Sequence, residues 1–526
     1  MIPKHDVSRL ALLSFAFVLI LPFKAMLIRI QTGYLDSAGF LDLIATNEPL
    51  KSQYFSSAHQ VAGLLRAPLE TLCDLVYSSP LTDQSFFRYH PYLLSILIGM
   101  FHKIFGLSPA VLGTLAILGS FAVGVGLLTD YMRKRGVSIF ASVLVLTLVL
   151  ISPNISQSLL GQPYFDRILF GPAVAGTLTL EKLKNGRPAN HIFFATTLLV
   201  LALISERGAL LAGLIGGFGA LLCRPDVRTW RTQWISFGAA VSAVAHYWYW
   251  QSISQYESYN VVSLASFQGR LTDLQNDYFF PKLIVFVGTL APLLLISLCA
   301  GRLMLLSVLA ITPNVFISVG GAELEGFSTH YHQVYSPILT TTAVIGLTRL
   351  MGLKRINLEM SRLAKRKQLP IVLLVLGATL GFWALIPGGA RPSQVAKSTV
   401  LAYYPYFTSD YKFSKILDSD LRVVVSQLQG FSPHSVAIPE NVMPRAQLSG
   451  LKNPSYWPTN LGNVDMVLAP RRGGKFVPMP IVDFRNITPY IDECISDLLL
   501  TQFVERKSIE TVTGTELVVL TRKREK

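Results

Sequence analysis

Long apolar runs separated by short polar segments fill most of the chain. A helix needs about 20 mostly apolar residues to cross a bilayer, and most of these runs come near that length, so the pattern predicts a polytopic α-helical membrane protein with about 11 spans. The predicted spans are residues 10–30, 109–130, 137–153, 166–181, 191–205, 208–223, 235–251, 281–299, 303–319, 335–352 and 369–387. No small-residue cleavage site follows the first run, so we predict a retained anchor rather than a signal peptide.

The apolar runs stop near residue 387, and the composition changes there. Residues 398–526 hold mixed charge, several prolines and no span. Within them, residues 435–439 and 465–470 predict short buried strands, and residues 503–521 predict a hairpin. We therefore expect two domains. They are a multi-spanning domain over residues 1–387, with a long first outer loop at 31–108, and an extracytoplasmic α/β domain over residues 388–526.

The charges agree with this organisation. Of the 526 residues, 51% are hydrophobic and 15% charged, with a mean hydropathy of +0.45 and a net charge of +15. Soluble proteins carry about 25% charge. The basic clusters follow alternate spans, which predicts that these loops and the N-terminus are cytoplasmic. No segment interleaves Lys and Arg with aromatics as a nucleic-acid groove does, so we expect no nucleic-acid partner. The expected location is the cytoplasmic (inner) membrane.

Two features of the outer side follow from this orientation. Between the first outer loop and the basic cluster at Arg133 there must be an odd number of spans, so the apolar run at residues 92–105 is predicted to lie at the outer interface. The cysteines Cys73 and Cys494 fall on the same predicted side. Their spacing leaves both a disulfide and two free thiols open.

Candidate chemistry begins in the first outer loop. Asp36 lies six residues past the first span and could act as a general base or ligate a divalent cation. Asp42 is a second acid in the same loop. Arg88 and His90 precede Pro91 and an apolar run, where cations could bind a lipid phosphate. The alternatives are a solvated acid for Asp36 and an interfacial anchor for the basic pair.

Two further charged pairs stand at the ends of predicted spans. Asp166 and Arg167 follow two aromatic residues, and Glu206 and Arg207 separate two short apolar runs. Ionisable groups at membrane depth are costly, so they indicate function. The alternative for Asp166 and Arg167 is a mutual or cross-loop salt bridge, and that for Glu206 and Arg207 is a structural ion pair.

A last outer loop carries His330, Tyr331 and His332 after two glutamates. Two histidines two residues apart could face one way and bind metal, but no third ligand is in register, so phosphate or sugar contact is the better interpretation. The sequence contains no Walker loop, no Gly-x-Ser-x-Gly elbow and no His-Glu-x-x-His motif. Cytoplasmic nucleotide chemistry is therefore not indicated.

The order of these pieces resembles the GT-C superfamily of glycosyltransferases, which use polyprenyl-phosphate sugars. Within that superfamily, five short motifs and their order along the chain are similar to those of an uncharacterised family of predicted bacterial and archaeal membrane proteins. The motifs are Tyr34-Leu35-Asp36-Ser37-Ala38, Arg88-Tyr89-His90-Pro91, Tyr164-Phe165-Asp166-Arg167, Ser205-Glu206-Arg207-Gly208 and Tyr331-His332-Gln333-Val334-Tyr335-Ser336-Pro337. The chain departs from the family in lacking a second acid beside Asp36 and in having Arg207 where an acid is more usual.

The resemblance implies a hexosyl- or pentosyltransferase that moves a sugar from a polyprenyl phosphate to a glycan, lipid or protein acceptor at the outer membrane face. Asp36, Asp166 and Glu206 would be catalytic. The remaining candidates would bind substrate, and they are Asp42, Arg88, His90, Arg167, Arg207, His330, Tyr331 and His332. No residues are assigned to a metal site, and the use of a divalent cation stays open. Two other functions stay open, a transporter or lipid flippase and a non-catalytic assembly protein of the cell envelope.

Overall fold

The structure is a computed structural model. It describes residues 69–78, 93–155, 164–183, 187–223, 229–253, 279–316, 330–351, 360–385, 436–439, 442–448, 454–476, 488–510 and 516–523, with Ser426 and a few single positions in residues 23–45. The described part consists of an α-helical region, up to residue 385, and a mixed sheet with its helices near the C-terminus.

Helices occupy every predicted span after the first one. The helices of this region are α1 (Leu72–Tyr77), α2 (Leu94–Phe105), α3 (Pro109–Lys134), α4 (Ile139–Ile151), α5 (Phe170–Leu183), α6 (Pro188–Ile204), α7 (Glu206–Gly213), α8 (Trp230–Ile253), α9 (Phe279–Leu298), α10 (Met304–Phe316), α11 (Ser336–Leu350) and α12 (Met360–Leu385). A π-helical stretch, Leu214–Cys223, continues α7. Among the residues that the structure describes, two helical segments, Pro109–Lys134 and Pro281–Leu298, are long and apolar enough to cross a membrane. The number of crossings stays a prediction.

Two helices, α5 and α11, form the centre of the helical region. They contact each other, and nearly all of their side chains are buried. Each begins at a 3-10 turn that carries candidate residues. We call Phe165–Leu169 the Asp166 turn and His330–Gln333 the His332 turn.

The outer faces of several helices are apolar. On α2, Leu97, Phe101 and Ile104 follow helical spacing, and all three side chains are about half or more exposed. On α8, Trp234 and Val244 are each 67% exposed. Exposed apolar faces of this extent indicate contact with something other than water.

The C-terminal part is an α/β arrangement, as predicted. Its strands are β1 (Val436–Ile438), β2 (Ser455–Tyr456), β3 (Met466–Arg472), β4 (Lys475–Phe476), β5 (Phe503–Glu510) and β6 (Glu516–Arg522), with helices α13 (Met443–Leu448) and α14 (Thr488–Gln502). The sheet order is β2-β1-β3-β6-β5, with β4 paired to β3. Strand β1 runs parallel to β2 and β3, whereas β6 runs antiparallel to β3 and β5. Of the two strands of the predicted hairpin, β6 is central and β5 is a more exposed edge.

Helix α1, from the first predicted outer loop, packs into this sheet domain. Leu72 and Val76 share an apolar core with Val467 and Ile495. A disulfide joins Cys73 to Cys494 on α14, across 421 residues of sequence. Of the two alternatives left open by the sequence, the structure therefore shows the disulfide. The division of the chain at residue 387 stays a prediction.

Candidate functional site

The Asp166 turn is held in place by Ser120 on α3. The Ser120 hydroxyl donates to the carbonyl of Ile168 at 2.6 Å and accepts from the backbone N–H of Gly171 at 2.8 Å. A Cβ at Gly171 would lie 2.5 Å from the Ser120 carbonyl oxygen, so only glycine permits this approach. The Asp166 turn and the first residues of α5 are therefore held in a fixed position against α3.

A second turn is a one-residue break between α6 and α7. Ser205 is extended there (φ −162°, ψ 170°), and its hydroxyl accepts from the N–H of Gly208 at 3.1 Å as an N-cap. The chain then folds back along α6. A Cβ at Gly208 would lie 2.0 Å from the Leu201 carbonyl oxygen, so this reversal also requires glycine.

The two turns join their polar side chains in one cluster. The Asp166 carboxylate accepts from the Ser205 hydroxyl at 2.6 Å and from the guanidinium of Arg207. The nearer oxygen of Glu206 lies 4.0 Å from the same Arg207 nitrogen. We call Asp166, Ser205, Glu206 and Arg207 the charged cluster. It shows the cross-loop salt bridge that the sequence left open for Asp166.

The charged cluster is almost entirely shielded from solvent. The side chain of Asp166 is 0% exposed, that of Glu206 8% and that of Arg207 14%. Arg167, the next residue on the Asp166 turn, is fully buried as well. With two carboxylates and two guanidiniums the formal charges balance. Burying four charges costs solvation energy that pairing does not reliably return, so a role beyond stability is the better explanation.

The His332 turn packs directly against the Asp166 turn. The Nδ1 atom of His332 lies 3.1 Å from the Tyr335 hydroxyl, and its ring centroid is 5.8 Å from that of Phe286. The backbones of His330 and Tyr331 belong to the same turn, but their side chains lie outside the described part. An imidazole therefore lies beside the turn that bears the charged cluster.

The structure thus brings five candidates from three segments to one end of α5 and α11. These are Asp166, Arg167, Glu206, Arg207 and His332. The candidates Asp36, Asp42, Arg88 and His90 lie outside the described residues, so their positions stay predictions. Within the residues that the structure describes, no group of three or more His, Cys, Asp or Glu side chains could hold a metal ion.

Sequence reasoning gave no role to Ser205 or Ser120. The signal for Ser205 was present, because serine directly before an acidic first turn is typical of a helix N-cap. Nothing local marks Ser120, since its two bonds reach residues 48 and 51 positions away.

Comparisons with known proteins add a distant likeness in fold. No family model matches the chain, and no curated protein matches it. Among solved structures, it is similar to the arabinofuranosyltransferase AftD from mycobacteria, determined by single-particle cryo-electron microscopy, with 12% identity and a TM-score of 0.48. The match covers 98% of this chain and 40% of AftD, so the chain spans about two-fifths of that protein's length.

Proposed function

We propose that this chain is a membrane glycosyltransferase. It moves one sugar from a polyprenyl-phosphate donor to a glycan, lipid or protein acceptor at the outer face of the cytoplasmic membrane. The observation that carries the proposal is the charged cluster, with fully buried Arg167 beside it, at one end of the two central helices.

In the proposed reaction, the acceptor hydroxyl oxygen bonds to the anomeric carbon of the sugar. The bond from that carbon to the phosphate oxygen breaks, and the polyprenyl phosphate leaves with the electron pair. Asp36 takes the hydroxyl proton as general base. Arg167 and Arg207, with Arg88 and His90 from the first loop, offset the charge that grows on the phosphate.

The carboxylates of the charged cluster have different parts in this scheme. Asp166 already accepts from Ser205 and Arg207, so it holds the guanidinium in position. Glu206 lies farther from Arg207, at 4.0 Å, and is the carboxylate nearer to substrate. His332, on the adjoining turn, lines the sugar pocket with His330 and Tyr331.

The arrangement of polar groups supports a membrane position. At the opposite ends of the central helices, Glu181 pairs with Arg135 at 2.9 Å and with Arg349 at 2.6 Å. Asp166 and Glu181 are 15 positions apart, mostly along α5, which corresponds to about 22 Å at the helical rise. This separation is shorter than the hydrocarbon core of a bilayer, about 30 Å, but a bilayer thins locally around a short span. The two polar layers and the exposed apolar helix faces therefore support a position in a membrane.

The disulfide supports the outer side for the first loop and the sheet domain. Structural disulfides form in oxidising compartments such as the periplasm and the cell exterior. Cys73 belongs to the first predicted outer loop and Cys494 to the sheet domain, so a bond between them requires both on one side of the membrane. In this proposal the layer at Glu181, Arg135 and Arg349 is cytoplasmic, in agreement with the basic loops.

The experiment that tests the proposal uses the full chain in proteoliposomes with polyprenyl-phosphate sugars. We expect the wild type to release polyprenyl phosphate and label an acceptor, and Asp36→Asn to abolish transfer while expression stays normal. A flippase instead would move labelled lipid between leaflets without release of phosphate. An assembly protein would support envelope assembly equally well with Asp36→Asn. Either result contradicts the transferase.

A further inference from the structure

Next to the charged cluster, the start of α11 holds an unusual set of buried polar atoms. Gln333 closes the His332 turn and is 0% exposed. In the described part of the chain, neither the Nε2 nor the Oε1 atom of its amide has a hydrogen-bond partner. Buried side-chain amides nearly always find partners, so an amide unpaired at both ends requires an explanation.

Two more residues around Ser336 share this property. Asn154 is 1% exposed and donates to the Ser336 hydroxyl at 2.9 Å, but within the described residues its Oδ1 has no partner. Thr340 lies one helical turn after Ser336 and so on the same face, and its hydroxyl is likewise buried and unpaired among described residues. Four unpaired polar atoms therefore occur within about one turn of Ser336.

The neighbouring threonines make Thr340 an exception. Thr341, Thr342 and Thr348 on the same helix each donate to the carbonyl four residues earlier. This local bond is the usual way for a buried helical hydroxyl to be satisfied. Among the described residues the Thr340 hydroxyl makes no such bond, so it remains able to bond another partner.

The chemistry of these atoms restricts that partner. Amides and a hydroxyl carry no formal charge, and together they offer both donors and acceptors. A group that matches both is an alcohol. We infer that the start of α11 carries a buried subsite for a neutral, polyhydroxylated ligand, bound by Gln333, Thr340 and Asn154.

This inference rests on the proposed transferase function, in which that ligand is the sugar ring of the donor. The Asp166 turn, with its charges, packs against the His332 turn that ends at Gln333. The phosphate and the sugar would thus meet separate sets of side chains, one charged and one neutral. The substrate class becomes a neutral sugar rather than a uronic acid or an amino sugar.

The test measures the binding of simple sugars to the full chain in nanodiscs. Saturation-transfer NMR detects the bound sugar. The probes are methyl glucoside, methyl mannoside and methyl arabinofuranoside, with glucuronic acid and glucosamine as charged counterparts. At least one neutral glycoside is expected to bind and the charged sugars are not. Gln333→Leu is expected to weaken binding about tenfold and Thr340→Val about threefold, which are the losses for two and one hydrogen bonds.

Thr341→Val is the matched control, because it removes a hydroxyl that is already bonded to the Pro337 carbonyl on the same helix. Its binding should equal that of the wild type. A subsite is contradicted if no neutral glycoside binds, if the three variants behave alike, or if a high-resolution map with glycoside present shows only water at these atoms.

A stability measurement separates a binding role from a structural one. Replacing an unsatisfied buried amide by an apolar group of similar shape is neutral or stabilising. Ligand-free Gln333→Leu should therefore unfold at the same temperature as the wild type or higher, and a clear decrease would overturn the subsite.

The subsite and the proposed function can fail separately. Sugar transfer with an unchanged KM for the donor in both Gln333→Leu and Thr340→Val removes the subsite and leaves the transferase. Sugar binding that depends on Gln333 in a protein that transfers nothing removes the transferase and leaves the subsite.

Discussion

The two parts of this molecule use the same ion-pair chemistry in opposite settings. In the helical region, Asp166 and Arg207 form an ion pair. Their own side chains are 0% and 14% exposed, respectively. In the sheet domain, Arg471 on β3 pairs with Glu505 at 2.7 Å and Glu516 at 2.6 Å, with side chains 20–43% exposed. Each pair joins segments distant in sequence, but the first is almost entirely shielded from water and the second is not.

The difference in setting changes what each pair explains. A partly exposed pair keeps most of its hydration and adds a modest amount to stability. A buried pair loses its hydration, and apolar residues of similar volume often serve stability as well or better. The network at Arg471 therefore needs no explanation beyond joining strands. The charged cluster does, and the proposed chemistry provides one.

The strongest way to break the comparison is to remove one partner of the buried pair. Asp166→Ala removes the carboxylate that is hydrogen-bonded to the largely buried Arg207 guanidinium, and we expect a loss of about 3–5 kcal/mol in the free energy of unfolding. Thermal unfolding of the full chain in nanodiscs measures the change.

The companion variant removes both charges. Asp166→Leu with Arg207→Met should recover part of that stability, since neither member of this pair is then buried without the other, but should not recover sugar transfer. Recovery of both stability and transfer would mean that the cluster is only structural.

The link between the two regions offers the next largest effect. Replacing Cys73 and Cys494 by serine removes the disulfide between α1 and α14, with an expected loss of about 2–5 kcal/mol for a native disulfide. The loss should appear as earlier proteolysis of the sheet domain. Cys299→Ser is the control, because Cys299 is an exposed free cysteine and its loss should change nothing. Equal protease resistance of all three proteins would show that α1 is held by packing alone.

The turn that builds the charged cluster can be tested without changing a charge. Gly208→Ala places a methyl group against the Leu201 carbonyl, and overpacking of this kind costs about 1–3 kcal/mol. We expect a lower unfolding temperature and reduced transfer. Gly377→Ala on α12 is the matched control, since a Cβ there meets no atom within 4 Å and alanine favours a helix. A tolerated Gly208→Ala would contradict the tight reversal between α6 and α7.

The smallest effect belongs to the exposed pair and depends on pH. Hydrogen bonds from Arg471 and Ser508 lower the pKa of Glu516 from 4.5 to about 2. Because the folded state has the lower pKa, the contribution of this carboxylate is complete above pH 4.5 and is lost as the pH falls toward 2. Chemical unfolding across this interval should show a loss that is smaller in Glu516→Gln. The same slope in both proteins would argue against the network.

Local patterns in the sequence predict most of the fold. The helices at residues 109–130 and 281–299 follow from the length of their apolar runs, and structure places α3 and α9 there. The strands at 435–439 and 465–470 follow from short buried segments that end at turns, and they appear as β1 and β3. These features depend on residues that are close in sequence, so a local sequence pattern is enough to predict them.

The candidate site is predicted less completely, because it depends on contacts between distant residues. Asp166 and Arg207 are recognisable as candidates because they are charged residues at the ends of apolar runs. Their pairing, however, spans 41 positions and depends on contact between two turns that the sequence does not show. The disulfide between Cys73 and Cys494 requires α1 to enter the core of the sheet domain, and cysteine spacing does not show this. The unpaired amide of Gln333 becomes visible only when its surroundings are known.

The most direct test of the central claim is a cryo-electron microscopy map of the full chain in nanodiscs with undecaprenyl phosphate added. We predict phosphate density within hydrogen-bond reach of Arg167 or Arg207, about 3 Å, with Asp36 facing the same pocket. A phosphate bound in another part of the protein, with the charged cluster closed and unchanged, would contradict the proposed site.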